Sequence, residues 1–252
     1  VSAGDVSLTL GSPARIGALL TELPSGPVGR WDKVNIIDVF LPSAALSSLS
    51  DDAVYAEGNR FAVETTTGWE IFQAGNAELI APSTYRLSRL LRGQNGSDAD
   101  MQDLIAPGAR VVWLGTGWDD LPVPDSFIGE SIPISAIAAG RQSDTLHHPY
   151  KAVHLRPLSP VHVKIREENG QITLSWIRRT RIGGDSWAGL DVPLGEEIER
   201  YRVQLWAEGV VIAEYETPEP TLTLPTLQNA DSISIGQASR AYGWGNTQIV
   251  RL

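Results

Sequence analysis

The 252-residue sequence predicts a mainly β protein in two parts. Two observations carry this reading. Short apolar runs alternate with polar residues at the two-residue period of half-buried strands. The 24 glycines and 16 prolines punctuate those runs at close intervals, the rhythm of many strands joined by turns.

In chain order, Val6 to Leu10 alternates and reads as a strand ended by Gly11-Ser12-Pro13. Ile16 to Leu20 is a short apolar patch before a Pro- and Gly-rich loop. Val34 to Leu41 is β-rich and closes at Pro42, and Ser43 to Leu49 is a connection or one helical turn. Arg60–Thr65 and Trp69–Ala74 alternate on either side of Thr66-Thr67-Gly68, a hairpin pattern. Ala77 to Ala81 leads to the turn Pro82-Ser83-Thr84.

The run Tyr85-Arg86-Leu87-Ser88-Arg89-Leu90-Leu91-Arg92-Gly93-Gln94-Asn95-Gly96 has arginine at every third position and ends on a strong turn signal, Asn-Gly. On a helix Arg86, Arg89 and Arg92 would form one stripe. Turns on both sides leave about nine residues, short for a helix and ordinary for a strand. The run therefore reads as a strand paired with residues 69–81. Val111 to Leu114 is another strand. Ser131 to Ile137 holds one more, with Pro133 favouring an edge. His147-His148-Pro149-Tyr150 and Arg156-Pro157-Leu158-Ser159-Pro160 read as a semi-rigid linker. These segments define an irregular β-rich domain over residues 1–155.

Residues 156–252 are more regular. Alternating runs occur at 161–166, 171–177, 201–206, 210–215, 221–224, 232–238 and 247–252. Seven short strands in about 95 residues match an immunoglobulin-like β-sandwich. The inward Trp176 on the second strand, with no cysteine in the chain, favours the fibronectin type III-like variety.

Composition bounds function. The formal charge is −10, unevenly shared: residues 1–155 carry 10 basic and 18 acidic residues, residues 156–252 carry 10 and 12. An acidic chain is a poor match to sequence-specific nucleic-acid binding through a bulk basic surface. Without cysteine, disulfides and thiolate metal sites are excluded. No apolar run reaches the roughly 20 residues of a membrane span, and no secretion signal is visible. A start at Val1 suggests a piece of a longer chain.

The run 59–96 resembles the C-terminal part of the tail-tip hub protein, or host-specificity protein, of alphaproteobacterial gene transfer agents and related tailed phages. The matching residues are Ala62-Val63-Glu64, Gly68-Trp69-Glu70, Gln73, Ala77-Glu78-Leu79 and, above all, Tyr85 to Gly96. The family's usual continuation is Leu-Leu-Arg-Gly-Gln-Arg-Gly-Thr, from which Asn95 and Ser97 depart. Trp176 to Gly184, Val192 to Glu196 and Glu199-Arg200-Tyr201 are similar to the fibronectin-type repeat that follows in these proteins. The resemblance implies a virion location at the tail tip, a homotrimeric hub, contact with other tail-tip and baseplate proteins, and roles in host attachment and DNA delivery. It assigns no catalytic residue.

Candidate contacts follow from residue type. Arg86, Arg89 and Arg92 suit an anionic partner, or ion pairs with Glu70, Glu78, Asp98 and Asp100. Trp187, Tyr242 and Trp244, in Gly-rich loops, could stack on a host surface glycan or cover an interface. Arg178, Arg179 and Arg181 precede the acidic run Glu196, Glu197 and Glu199, which reads as ion pairs fastening the long insert. Asp98, Asp100 and Asp103 lack the glycine and closing glutamate of a helix-loop-helix calcium site. His147 and His148 point to opposite sides of an extended chain and do not form a metal site with Asp144. No nucleophile-elbow, zinc-protease, phosphate-loop or dinucleotide motif is present. No carboxylate spacing singles out a glycosidase pair. The expectation is therefore a non-enzymatic structural protein with no cofactor. A carbohydrate-binding module and a cell-wall glycan hydrolase stand as alternatives.

Overall fold

The computed structural model describes residues 2–3, 6–115, 117–138, 140–184 and 191–252. It divides into two compact units, Val1–Ala152 and Val153–Leu252. The protein is mainly β, as the alternation predicts.

The first unit is built on a closed barrel of six antiparallel strands: β1 (Arg15–Leu19), β2 (Asp32–Phe40), β3 (Arg60–Glu64), β4 (Trp69–Ala81), β5 (Thr84–Gln94) and β6 (Arg110–Trp113). Their order around the wall is β6-β1-β2-β5-β4-β3, and β3 closes the ring onto β6 through Val111↔Val63 and Trp113↔Phe61. The patch at residues 16–20, read only as apolar, is β1, one of the strands needed for closure. Tyr85–Arg92 lies within β5 and pairs with β4 and β2. A barrel rather than an irregular sheet results because long strands coil where extra residues interrupt the ladder. Register shifts occur between Ile71 and Gln73, between Leu79 and Ala81, and between Asp32 and Ile36. At one crossing the wall has no room for a side chain: a Cβ on Gly17 would lie 1.7 Å from the Phe40 carbonyl oxygen.

Alternate residues fill the interior. Leu19, Ile37, Val39, Phe61, Val63, Phe72, Leu87, Leu90 and Val111 are all buried in one cluster. Phe61 and Phe72, register partners on β3 and β4, stack with centroids 5.3 Å apart. Tyr85 is buried and donates its hydroxyl hydrogen to the Ala44 carbonyl at 2.8 Å. The connection from β2 to β3 crosses outside the wall and contains the short helix α1 (Asp51–Tyr55), capped by Ser50, whose hydroxyl accepts from the Ala53 N–H. The helix follows the 43–49 segment read as a helical turn or connection, and that segment is the connection. Under α1 the buried Gln73 amide donates to the Val54 and Gly58 carbonyls.

Beyond the barrel, Ser131–Ser135 pairs with Leu146–Pro149 on one side and Ser2–Ala3 on the other. His147 and His148 therefore lie in a strand opposite Pro133 and Ile132, which corrects the linker reading of that segment. Ser131–Ser135 is an inner strand, not an edge. Its described pairing with Ser2–Ala3 uses only Ile134 and Ser135, so the missing N–H of Pro133 falls outside that ladder.

Among its described residues the second unit is a seven-stranded sandwich. β7 (Val161–Glu168), β8 (Gln171–Ile177) and a later strand, Thr221–Leu224, form a three-stranded sheet. The other sheet holds β9 (Tyr201–Ala207), β10 (Val210–Thr217), and then, past β11 (Thr221–Leu224), β12 (Ser232–Ser239) and β13 (Gly243–Arg251), in the order β10-β9-β12-β13. Antibody constant domains place their fourth strand with the first two. Here β10 pairs with β9 instead. Leu174, Trp176, Tyr201, Val203, Leu205, Ile233 and Ile235 form the core. Trp176 meets Tyr201 edge-on at 5.3 Å, the inward tryptophan that the alternation places on the second strand.

Removing one ring of the barrel pair should leave a cavity the closed wall cannot collapse around. Phe72→Ala is expected to destabilise the barrel by about 3–5 kcal/mol, read as a lower urea midpoint. An unchanged midpoint would show that the ring is not part of the core.

Candidate functional site

The three arginines of β5 have three different environments. Arg86 faces outward and is half-exposed. Its register partner across β2 is Asp38, and two parallel hydrogen bonds join them, Nε to Oδ1 at 2.8 Å and a second guanidinium nitrogen to Oδ2 at 2.9 Å. The Arg86 hydrogen bond holds the Asp38 carboxyl below its usual range, against a smaller opposing push from burial.

Arg89 sits at a backbone irregularity with φ of +56°. The residue across the ladder is Gly75, where a Cβ would lie 2.4 Å from the Arg89 Nε, so the glycine makes room for the guanidinium. That group lies 4.6 Å over the Trp31 ring and pairs with Asp51 at 2.7 Å. It fastens α1 and the 31–32 corner to the wall.

Arg92 is fully buried. It forms a bidentate pair with the equally buried Glu70 on β4, at 2.6 and 2.8 Å. A third nitrogen donates to the Pro24 carbonyl at 2.8 Å and lies 3.6 Å from Asp32, itself 1% exposed. The Gly93 N–H adds a bond to Glu70 at 3.3 Å. Burial pushes the Asp32 carboxyl up. The backbone and side-chain hydrogen bonds of Asn35, the Val34 N–H and the Arg92 charge outweigh it and hold the group below its usual value. This arrangement corrects the reading of Arg92 as a contact for an external partner: it has no exposed surface, and its donors are directed to protein acceptors.

The rest of the run closes the same corner. Gly93 has φ of +59°, and a Cβ there would lie 2.6 Å from the Asp98 Cβ. Asn95 and Gly96 both adopt positive φ, the conformation that makes Asn-Gly a hairpin turn. The buried Ser97 hydroxyl accepts from the Ile71 N–H at 2.8 Å and donates to the Gln94 carbonyl at 2.7 Å. A threonine hydroxyl supplies the same two bonds, so the Ser97 departure keeps the latch.

In the sandwich the basic run also turns inward on acids. Arg178 pairs with Glu199 at 3.0 Å and Asp191 at 2.9 Å, and Arg181 makes a bidentate pair with Glu196. Arg179 instead bonds the Ser159 carbonyl and hydroxyl, both at 2.7 Å. Tyr201 donates to Glu199 at 2.9 Å, and burial together with that carboxylate pushes its phenol well above the usual range. The Tyr242 ring has the Arg181 guanidinium 5.5 Å from its centroid. The Trp244 ring has those of Arg200 and Arg202 at 5.4 and 4.6 Å. A guanidinium group thus lies near each of these two rings, which stay partly exposed. Trp187, the third aromatic of that candidate platform, lies outside the described residues.

Among the described residues, no group of three or more His, Asp or Glu side chains is placed to hold a metal ion. No helix of the described residues is long and apolar enough to cross a membrane. Sequence reasoning missed Asp32, Asp38 and Asp51 as partners of the arginines. They stand 38 to 60 residues upstream of the arginines they meet, and only long-range pairing brings them beside β5. The sequence signal for Asp32 is the pattern Asp-x-x-Asn, in which an aspartate accepts from N–H groups two and three residues on.

Residues 14–112 match the family model described as Rcc01698-like, C-terminal. This span contains the first five barrel strands, all of the sixth but Trp113, and the whole Arg92 network, and the name is one associated with gene transfer agents. It agrees with the resemblance carried by Tyr85–Gly96. The sandwich lies outside the match. No curated protein matches the chain. Solved structures with some likeness include domains d3–d4 of the rat CD45 extracellular region, at 11% identity and TM-score 0.29 over 55% of this chain and 71% of that one. The human OSCAR ligand-binding domain matches at 12% identity and TM-score 0.26 over 97% and 100%. A cytokine receptor complex matches at 14% and 0.26 over 86% and 90%. At these TM-scores the likenesses carry no argument about function.

Two measurements separate the buried and exposed parts of this site. Asp32 has a depressed carboxyl in the folded state, so its contribution is complete above its unfolded value of about 3.9 and is lost as pH falls through the folded value. Between pH 5 and 2, thermal midpoints of the parent protein should fall more steeply than those of Asp32→Asn, which lacks this titration. Parallel curves would contradict the assignment. Arg86→Ala, by contrast, removes an exposed pair and should leave the urea midpoint nearly unchanged, with any difference shrinking in high salt.

Proposed function

We propose that this chain is a structural, non-enzymatic component of a phage-like, gene-transfer-agent tail tip or baseplate hub. The observation that supports it best is the coincidence of the family match with the Arg92 corner: the most distinctive run in the sequence is the strand whose buried arginine ties the barrel wall to the loop before β2. In this reading the barrel is a rigid building block, held by an internal ion pair rather than by an exposed catalytic or ligand-binding group. The sandwich is a companion module of the kind that spaces or displays surfaces. Other tail-tip and baseplate proteins are the partners, the working form is a homotrimer, and the site of action is the virion at the host envelope, during attachment and DNA delivery.

The test is to locate the chain in the particle and then shorten it. A tag on the sandwich should appear at the distal end of the tail by electron microscopy, and particles lacking residues 153–252 should lose adsorption to the host. Unchanged tails with unchanged adsorption, or a tag elsewhere on the particle, would overturn the reading. Turnover of host glycan by the purified chain would overturn its non-enzymatic part.

A further inference from the structure

The chain has no cysteine and a single methionine, so all of its sulfur chemistry resides in one atom, the thioether of Met101. That atom lies at the corner built by Arg92. Met101 follows the 3₁₀ turn Ser97–Asp100, just past the Ser97 latch, and its N–H donates to the Asp98 carbonyl at 3.3 Å. The next residues run as a strap along the loop that holds the acceptors of Arg92. The Gly26 N–H donates to the Met101 sulfur at 3.3 Å, and the Ser25 N–H donates to the Asp103 carbonyl at 3.0 Å. Leu23-Pro24 then pairs with Leu104-Ile105, where Leu23 and Ile105 are both buried. Pro24 gives its carbonyl to Arg92.

The two sides of the sulfur contact differ in freedom. Gly26 is packed against the buried corner: a Cβ there would lie 2.4 Å from the Asp32 Oδ2, 3.1 Å from an Arg92 guanidinium nitrogen and 3.2 Å from the Arg92 Cγ. Met101 is only half-buried, on an unbranched side chain with three rotatable bonds. Its contact with Gly26 is itself only partly buried. The loop is therefore the fixed partner, and the thioether is the partner open to a small polar reagent and able to move.

We propose that Met101 is a site of reversible oxidation by peroxide, and that its sulfoxide loosens the 101–105 strap from the 23–26 loop. A sulfur lone pair attacks one oxygen of hydrogen peroxide and the O–O bond breaks. The departing hydroxide takes the proton left on the transferred oxygen and becomes water. Sulfur loses two electrons and the peroxide gains them. The added oxygen then has two places to go. Directed at Gly26, it pushes the sulfur back by roughly an ångström, because an N–H···O bond of about 2.9 Å must fit between the nitrogen and the new oxygen. Directed away, it leaves the Gly26 N–H facing an electron-poor sulfur, where even the thioether is a weak acceptor. Neither product keeps the original contact. The proposal stands apart from the tail-tip reading and does not depend on it.

The test treats the folded full chain with dilute hydrogen peroxide, follows Met101 by peptide mass, and reads native-state amide exchange and the urea midpoint. One oxygen should be gained at Met101 without denaturant. Exchange at Ser25 and Gly26 should then quicken about three- to tenfold, and the urea midpoint should fall. Methionine sulfoxide reductases for both epimers, supplied with a dithiol, should restore both readings. Met101→Leu keeps the volume and has no sulfur to oxidise, so peroxide should leave its exchange and midpoint unmoved. Oxidation of Met101 only after unfolding in urea would overturn the proposal. So would sulfoxide formation with exchange at 25–26 and the midpoint unchanged, or an equal effect of peroxide on Met101→Leu.

Discussion

The barrel depends on one buried ion pair. Arg92 and Glu70 are both removed from water, and desolvating two charges costs several kcal/mol each before any attraction is gained. The arrangement holds because almost every polar atom has a partner. The guanidinium meets Glu70 twice, the Pro24 carbonyl once and the Asp32 charge from 3.6 Å. The second carboxylate, Asp32, is stabilised by two backbone N–H groups and the Asn35 amide. One cation thus ties together β4, β5 and the loop that leads into β2. That loop is held closely enough that a Cβ on Gly26 would lie 2.4 Å from Asp32. An apolar residue of similar volume could fill the same space, but it would not fix the directions of three separate segments at once.

Several other arginines of the protein share the orientation of charge toward charge without the full burial. Arg86, Arg110 and Arg200 make exposed pairs with Asp38, Glu64 and Glu216, interactions that water and salt weaken. They set register and solubility more than stability. Several guanidinium groups also lie over tryptophan rings: Arg60 over Trp118, Arg89 over Trp31, Arg202 over Trp244. Of the eight tryptophans, Trp31, Trp69, Trp118 and Trp244 each have a guanidinium group near the ring.

The sandwich was legible strand by strand because its strands alternate in sequence and two of its hairpin turns carry Asn169-Gly170 and Glu208-Gly209. The barrel was legible in its hairpin but not in its closure. Arg15–Leu19 is only five residues, and its inward positions 15, 17 and 19 include an arginine and a glycine, so no apolar alternation announces it. The same loss hid the acids that pair with β5: hairpin partners such as Glu70 are local, whereas Asp32, Asp38 and Asp51 become neighbours only after long-range pairing. For Arg86, Arg89 and Arg92 the ion-pair alternative was the right one in kind, with mostly different partners. The Leu-Leu-Arg-Gly-Gln run, recognised as a family marker, now has a physical reading: leucines in the core, a buried cation, a glycine under Asp98, and a turn latched by Ser97.

The central claim is that Arg92 and Glu70 act as one unit in the barrel core. A double-mutant cycle with Arg92→Met, Glu70→Met and the combined variant, followed by urea unfolding, tests it most directly. Each single change leaves a buried charge uncompensated and should cost about 3–5 kcal/mol. The double variant should lose less than the sum of the two, with a coupling of at least about 1 kcal/mol. Additive losses, or single variants as stable as the parent, would contradict the account.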